Sequence, residues 1–439
     1  MAAPLTIKGQ KTIPTPWQER ILKRDFEVVL GKMLQPEQDK EDETEEPYLR
    51  SANVQWEGVD ISDIKTMWFS QREKKELLLR VGDLVVNEGG DVGRCATWTG
   101  GIDACYFQNA VNRVRSRQTA SARFLYYWLY NIKHAGFIDA IVGRTTIAHL
   151  TAEKLEAIPW ADAPPSDQQR IATFLDASCA TIDAAVVAKR RQLEILDDLV
   201  ASFVCQAVTQ GLEQDTEMKP SGLDWALKVP AHWKIQQIKR MCSLVRGQFT
   251  HRPRNDPALY DGPYPFIQTG DITAAGKYIR THSQTLNELG LSVSKMFPKG
   301  TLVVSIAANI GDVAILDFDA CFPDSMVGMI PGHKTNIDYL YYLMRAMKGI
   351  MLRSAVLSTQ LNLNYVRIGT NFAPVPPKKE QEAIAEYLDA KEHDVAQVKE
   401  TLTTQIATLL TYRKSLIHEC VTGQRRITEA YLKGAQMHG

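Results

Sequence analysis

The sequence predicts an α+β fold made of two similar mixed domains, separated by a pair of long antiparallel, coiled-coil-like helices and related by an internal pseudo-two-fold repeat. Three observations predict it. An eleven-residue run recurs about half a chain apart, blocks of β-rich and amphipathic sequence recur around it in the same order, and a long apolar stripe of 3-4 spacing follows each copy.

The recurring run is DQQRIATFLDA at 167–177 and EQEAIAEYLDA at 380–390. Gln168, Ile171, Ala172, Leu175, Asp176 and Ala177 return as Gln381, Ile384, Ala385, Leu388, Asp389 and Ala390. Upstream, Pro14–Trp17 matches Pro230–Trp233, Pro47–Val54 matches Pro265–Ile272, and Gly82–Val86 matches Gly300–Val304. Val92-Gly93 then matches Ile310-Gly311, Ala104–Tyr106 matches Ala320–Phe322, and Phe124–Tyr127 matches Tyr339–Tyr342. The offset drifts between 213 and 218 residues, as loops of unequal length require, and the order is never broken. The reading is therefore a first mixed domain at 1–163, a long helix at 164–212, a second mixed domain at 213–375, a second long helix at 376–424 and a tail at 425–439.

Within the mixed domains, Asp83–Asn87 and Thr301–Ser305 are β-rich runs, each preceded by glycine, and are read as strands. Gly93 and Gly311 mark tight turns. Phe124–Tyr130 and Tyr339–Met347 are short amphipathic helices whose Leu-Tyr-Tyr packs on a sheet rather than stacking on bases. Trp56, Trp98 and Trp128, without clear counterparts in the second copy, are read as core.

Each long helix follows a proline, Pro164 or Pro377, and opens with an acid, Asp167 or Glu380, suited to the positive end of a helix. No proline or glycine then intervenes before Val208 or Val421, and Gly211 and Gly423 supply the stops. The predicted seam is Ile182, Val186, Leu193, Leu196, Val200, Phe203 and Ala207 against Val395, Leu402, Ile406, Leu409, Leu416 and Cys420. Lys189, Lys399 and Arg413 interrupt it. At about 1.5 Å per residue a helix of this length spans roughly 65 Å, and such a stripe is unstable alone, so the two copies are each other's natural partners.

Net charge is zero, with an acidic stretch at 36–47, read as a solvated loop, and basic stretches at 112–123 and 234–254. The seven cysteines are scattered, with no C-x-x-C pair and no zinc spacing. No unbroken apolar run approaches the roughly 18 residues of a membrane span, and no signal-peptide core opens the chain, so a cytoplasmic protein is expected. There is no G-x-x-x-x-G-K-[ST], G-x-S-x-G or H-E-x-x-H, and Pro323-Asp324 lacks the rest of a metal-nuclease motif. Two framework copies with unlike loops and no catalytic constellation point to a binder.

In this order and spacing the residues resemble the specificity subunit of Type I restriction–modification systems, over nearly the whole chain. The resemblance is carried by Pro164-Pro165 with Asp167–Ala172 and Leu175-Asp176, by Pro376-Pro377 with Glu380–Asp389, and by Ser221–Trp225 with Val229–Trp233. It implies two target-recognition domains held apart by paired helices, reading the halves of a split DNA sequence with an unspecified spacer. It implies partners: double-stranded DNA, two adenine methyltransferase subunits and ATP-dependent restriction subunits. No catalysis or cofactor is implied on this chain, with S-adenosylmethionine, ATP and magnesium on the partners. A few Type II enzymes use a similar two-headed subunit.

Recognition of this type needs Arg, Lys and amides on phosphates and Asn, Gln, Arg or Asp on base edges. The candidates are Arg94, Gln108, Asn109, Arg113, Arg144 and Thr145 in the first domain, and Arg246, Gln248, Gln268, Asn309, Asp324, Gln360 and Asn362 in the second. Gln168 and Gln381 are either partner contacts or helix-start residues that bond their own backbone. A two-headed protein–protein scaffold, which fits the neutral charge, and an enzyme with an unrecognised site remain as alternative readings.

Overall fold

A computed structural model of the chain describes residues 17–143, 148–354, 365–429 and 431. Its two long helices are Pro165–Gln210 and Lys378–Val421. The described residues form two compact units whose boundaries cut both helices. One unit joins the chain up to Lys189 with the chain from Thr404 onward; the other is Arg190–Thr403. Each therefore holds one mixed domain, half of the first long helix and half of the second.

In the first unit, four antiparallel strands run in the order Phe26–Leu30, Val111–Ser116, Leu84–Asn87, Cys95–Thr97. A smaller sheet pairs Thr44–Leu49 with Lys65–Phe69 and, in parallel, with Tyr106–Phe107. The second unit repeats the plan: Cys242–Arg246, Met326–Pro331, Leu302–Ser305 and Val313–Leu316 in that order, with Tyr278–Ile279 added at the edge. The strands read as Asp83–Asn87 and Thr301–Ser305 form one residue later at their starts, fully buried. After each comes the same turn, Gly93 N–H donating to Asn87 O and Gly311 N–H to Ser305 O, both 2.9 Å. Both glycines need it, with φ of 80° and 83°.

Helices Ala122–His134 and Ile337–Ala346 lie on these sheets, with Leu125, Tyr126 and Tyr127, and Leu340, Tyr341 and Tyr342, all buried. Trp98 and Trp128 are core, while Trp56 is half-buried. The 36–47 stretch is exposed over 36–42, as the solvated-loop reading expects, and runs into the strand Thr44–Leu49. Glu43 is 6% exposed, and its carboxylate organises the loop by accepting from the Asp39 and Lys40 N–H groups and from Gln35.

Within each unit the helix halves run antiparallel. In the first, Asp183 pairs with Arg413 at 3.1 Å and Lys189 Nζ donates to Gln405 Oε1 at 2.6 Å. In the second, Asp197 pairs with Lys399, and the Lys391 ammonium sits 5.9 Å from the Phe203 ring. The three residues that break the apolar seam thus each reach across it. Ile182, Val186, Val395, Leu402 and Leu416 are buried, whereas Leu193, Leu196, Val200, Phe203, Ile406 and Leu409 are half-buried. Val204, Val208, Ile417 and Val421 are buried without having been assigned to the seam, because the helix ends bury a second face against their mixed domain.

The first long helix is also long and apolar enough, by length and composition, to cross a membrane. A search for unbroken apolar runs misses this because Asp176 and Asp183 interrupt the stretch. Ile171, Ala172, Leu175, Cys179, Ile182 and Val186 of that helix are buried inside the first unit.

Candidate nucleic-acid interface

A reading surface is only as precise as its mounting, and the recurring eleven-residue run is the mounting. Gln168 Oε1 accepts from the N–H of Ser121, the cap of helix Ala122–His134, at 2.7 Å, while its Nε2 donates to Ala163 O at 2.6 Å. Gln381 does the same for Asn336 N–H at 2.8 Å and Pro376 O at 2.9 Å. Asp176 accepts from the Tyr127 hydroxyl at 2.7 Å, as Asp389 accepts from Tyr342 at 2.6 Å. Burial pushes both phenols well above their ordinary pKa, so they remain donors. Glu380 accepts from Trp233 Nε1 at 2.8 Å, and Asp167 stands at 3.5 Å from Trp17 Nε1. Three residues within about three helical turns therefore tie each long helix to its mixed domain. Both glutamines are 1% exposed, which removes them from any partner surface: their bonds go to the backbone where domain and helix meet.

A second repeated device lies at the far end of the first strand of each main sheet. Gly31 N–H donates to Val111 O and Lys32 N–H to Phe107 O, both 3.1 Å. In the second unit Gly247 N–H donates to Met326 O at 2.9 Å and Gln248 N–H to Phe322 O at 3.1 Å. A Cβ on Gly31 would stand 2.3 Å from Gln108 O, and one on Gly247 would stand 2.3 Å from Pro323 O, so only glycine admits the contact. Sequence reasoning missed this pair, although V-V-L-G at 28–31 and L-V-R-G at 244–247 carried the signal. Aligned by these bonds, Asn109 falls on Asp324 and Lys32 on Gln248: one backbone arrangement presents unlike polar groups.

In the second unit four predicted residues, Arg246, Gln248, Gln268 and Asp324, fall around this device. Arg246 Nε donates to Asp324 O at 2.8 Å, and Asp324 Oδ1 pairs with Arg254 at 2.6 Å. Gln248 is exposed. Gln268, donating to Gln284 at 2.8 Å, lines a cleft of roughly 590 Å³ with Arg254, Asn255, Phe249, Tyr260 and Phe266. Cationic and amide groups over aromatic walls can hold a phosphate and meet a base edge or face. Asn309 does not line the cleft; it is exposed and donates to Thr273 at 2.9 Å.

The first unit agrees less well. Gln108 and Asn109 are half-buried, with no side-chain hydrogen bond to any described residue. Arg94 is held by Asp91 at 2.5 Å and by Gln55. Arg113 is a correction: it is 3% exposed, burial pushes its pKa below the ordinary value, and it is consumed by Glu27 at 2.8 Å and Glu76 O at 2.7 Å. The basic stretch at 112–123 fares likewise, since Arg115 grips Asp83 at 2.6 Å, Arg117 donates to Phe26 O at 3.1 Å and Arg123 pairs with Asp176 at 2.7 Å. Alternation along the strand Val111–Ser116 puts Arg113 and Arg115 on one face, where they meet Glu27 and Asp83 of their own domain. Arg144, Thr145, Gln360 and Asn362 lie outside the described residues.

Comparison with known proteins follows the repeat. The family model described as the Type I restriction modification DNA specificity domain matches twice, over 14–194 and 230–408. A Methanocaldococcus jannaschii protein with the provisional name MjaX type I restriction enzyme specificity subunit is 23% identical, covering 94% of this chain and 95% of that one. A chain solved in work on complex assembly and conformational transition of the type I R-M system aligns with a TM-score of 0.73 and 14% identity, over 94% of this chain and 99% of the other. The HsdS subunit from Thermoanaerobacter tengcongensis aligns at 0.56 and 16%, over 96% and 100%.

Proposed function

The chain belongs to the Type I restriction–modification DNA specificity family, and from that premise we propose that it selects a two-part DNA target for enzymes it does not itself contain. DNA target recognition is the role that membership implies. The finer reading is that each mixed domain reads one half-site, with an unread spacer between them. Two adenine methyltransferase subunits and ATP-dependent restriction subunits are the partners, and S-adenosylmethionine, ATP and magnesium act on those partners.

One observation carries the bipartite reading. The same glycine-dependent contact occurs in both domains, yet it presents Asn109 in one and Asp324 in the other. Asparagine offers a donor and an acceptor together, as adenine requires, whereas aspartate only accepts, as from the cytosine amino group. Equal frameworks with unequal reading groups suit an asymmetric target. The test is to exchange residues 17–163 for the first domain of another family member and map methylated adenines with the partner subunits present. One half of the methylated sequence should change and the other should stay. Retention of both halves would overturn the reading. The scaffold alternative predicts no salt-dependent DNA affinity even with the partners bound.

A further inference from the structure

The two units differ sharply at one place that the DNA reading leaves unused. In the first, the Trp56 indole stands edge-on to Tyr130 at 5.0 Å and to Tyr126 at 6.2 Å, beside His134 at 5.6 Å. The Tyr126 hydroxyl donates to Trp56 O at 2.7 Å. From the second long helix, Arg413 lies 5.0 Å from the Tyr130 ring and His418 meets Asn131 at 3.0 Å. At the offsets their neighbours share, Trp56 falls on Ala274, His134 on Gly349, Arg413 on Val200 and His418 on Cys205. Gly58 and Gly276 hold the first of these in register. All four positions carry the smaller side chain in the second unit. They lie on three separate segments, so a single loop change does not account for them.

What remains in the second unit is a cleft of about 690 Å³. Tyr341 and Arg345, the counterparts of Tyr126 and Tyr130, form its floor, with the guanidinium 5.3 Å from the Tyr341 ring. Arg345 is fixed there by an ion pair with Glu392. A guanidinium held against a phenol ring can take part in stacking with another planar ring. The three cations in the lining, Lys277, Lys348 and Arg345, are already paired with Asp389, Asp312 and Glu392, which disfavours a phosphate-bearing ligand. The group that fills the equivalent space in the first unit is an indole on a peptide backbone.

We propose that this cleft receives a planar aromatic side chain from a partner protein, which takes in the second unit the place that Trp56 fills in the first. Such a residue would be an anchor of the kind that dominates protein interfaces. The contact would also distinguish the two units for an otherwise identical pair of partners.

Cys205 gives a direct test, because its thiol lines the cleft and is exposed while the other six are buried. Burial pushes the Cys179 thiol up to about 11 and Cys242 up to about 12, which keeps them poorly reactive. The full chain is exposed, under limiting reductant, to three disulfide probes with the same linker and an indole, butyl or adenine cap. Capture is read by intact mass and peptide mapping. The indole probe should be captured at Cys205 roughly fivefold more than the butyl probe, the ratio expected from about 1 kcal/mol of ring stacking. Ala274→Trp should remove that preference while butyl capture persists. Ala201→Trp, in the part of the lining that the first long helix supplies, replaces it if the first variant folds poorly. Equal capture of indole and butyl, adenine above indole, or a preference that survives the filled cleft would each overturn the proposal.

Discussion

Gln381 shows how a residue that reads as a surface contact can belong to the interior. Its amide is saturated by Asn336 N–H, Pro376 O and Lys334 O, the last at 3.2 Å, and the side chain is 1% exposed. Gln381→Ala leaves those backbone groups buried without a partner, at about 1–3 kcal/mol. Urea unfolding followed by Trp233 fluorescence should register that loss, and a variant as stable as the parent would refute the clamp. The sequence marked this glutamine correctly as repeated. It could not say that the repeat serves the junction between domain and helix, because the partner N–H lies 45 residues away. Arg113 carries the same lesson. A basic run is visible in sequence, but whether it faces DNA or a carboxylate of its own domain depends on Glu27 across the sheet.

At the scale of an element, the short helix Gln71–Leu77 is fixed by a capping box between Ser70 and Glu73, and Glu73 also anchors Lys32 at 2.7 Å beside the Gly31 contact. Burial works against ionisation of Glu73, but Lys32 and the Ser70 N–H outweigh it and hold the carboxyl below its usual value. Such a group contributes stability that is present above the usual glutamate pKa and is lost as pH falls through the lowered one. Glu73→Gln should therefore cost about 1 kcal/mol at neutral pH. The gap from the parent should close in acid. A pH series of denaturation midpoints checks this, and a gap that widens below pH about 4 would contradict the assignment. The capping box was readable as S-x-x-E; its tie to the Gly31 turn was not, since Lys32 is distant in the chain.

For the whole molecule, compactness does not follow chain order. Leu416, Ile417, Cys420 and Val421 belong to the same buried cluster as Leu22, Trp128 and Trp160. A chain ended at Thr403 keeps every residue of the first mixed domain but loses these four. At about 1.5–3 kcal/mol per buried apolar side chain, the loss rivals a domain's whole stability. Hydrogen exchange on the truncated chain should show the first mixed domain deprotected and the second intact, because Arg190–Thr403 forms its own unit. The reverse pattern, or no loss, would break the assignment.

The duplication, the order of elements and the extent of both long helices were determined by sequence alone. Those signals are local: glycine and proline punctuation, a period of 3.6 or 2, and one motif written twice. The tertiary structure decided which polar residues are free to meet a ligand, that the three breaks in the apolar seam each reach across it, and that each unit borrows from both helices. It also decided that one unit fills a space with Trp56 that the other leaves as a cleft. These outcomes turn on burial and on partners far apart in the chain, which no periodicity encodes.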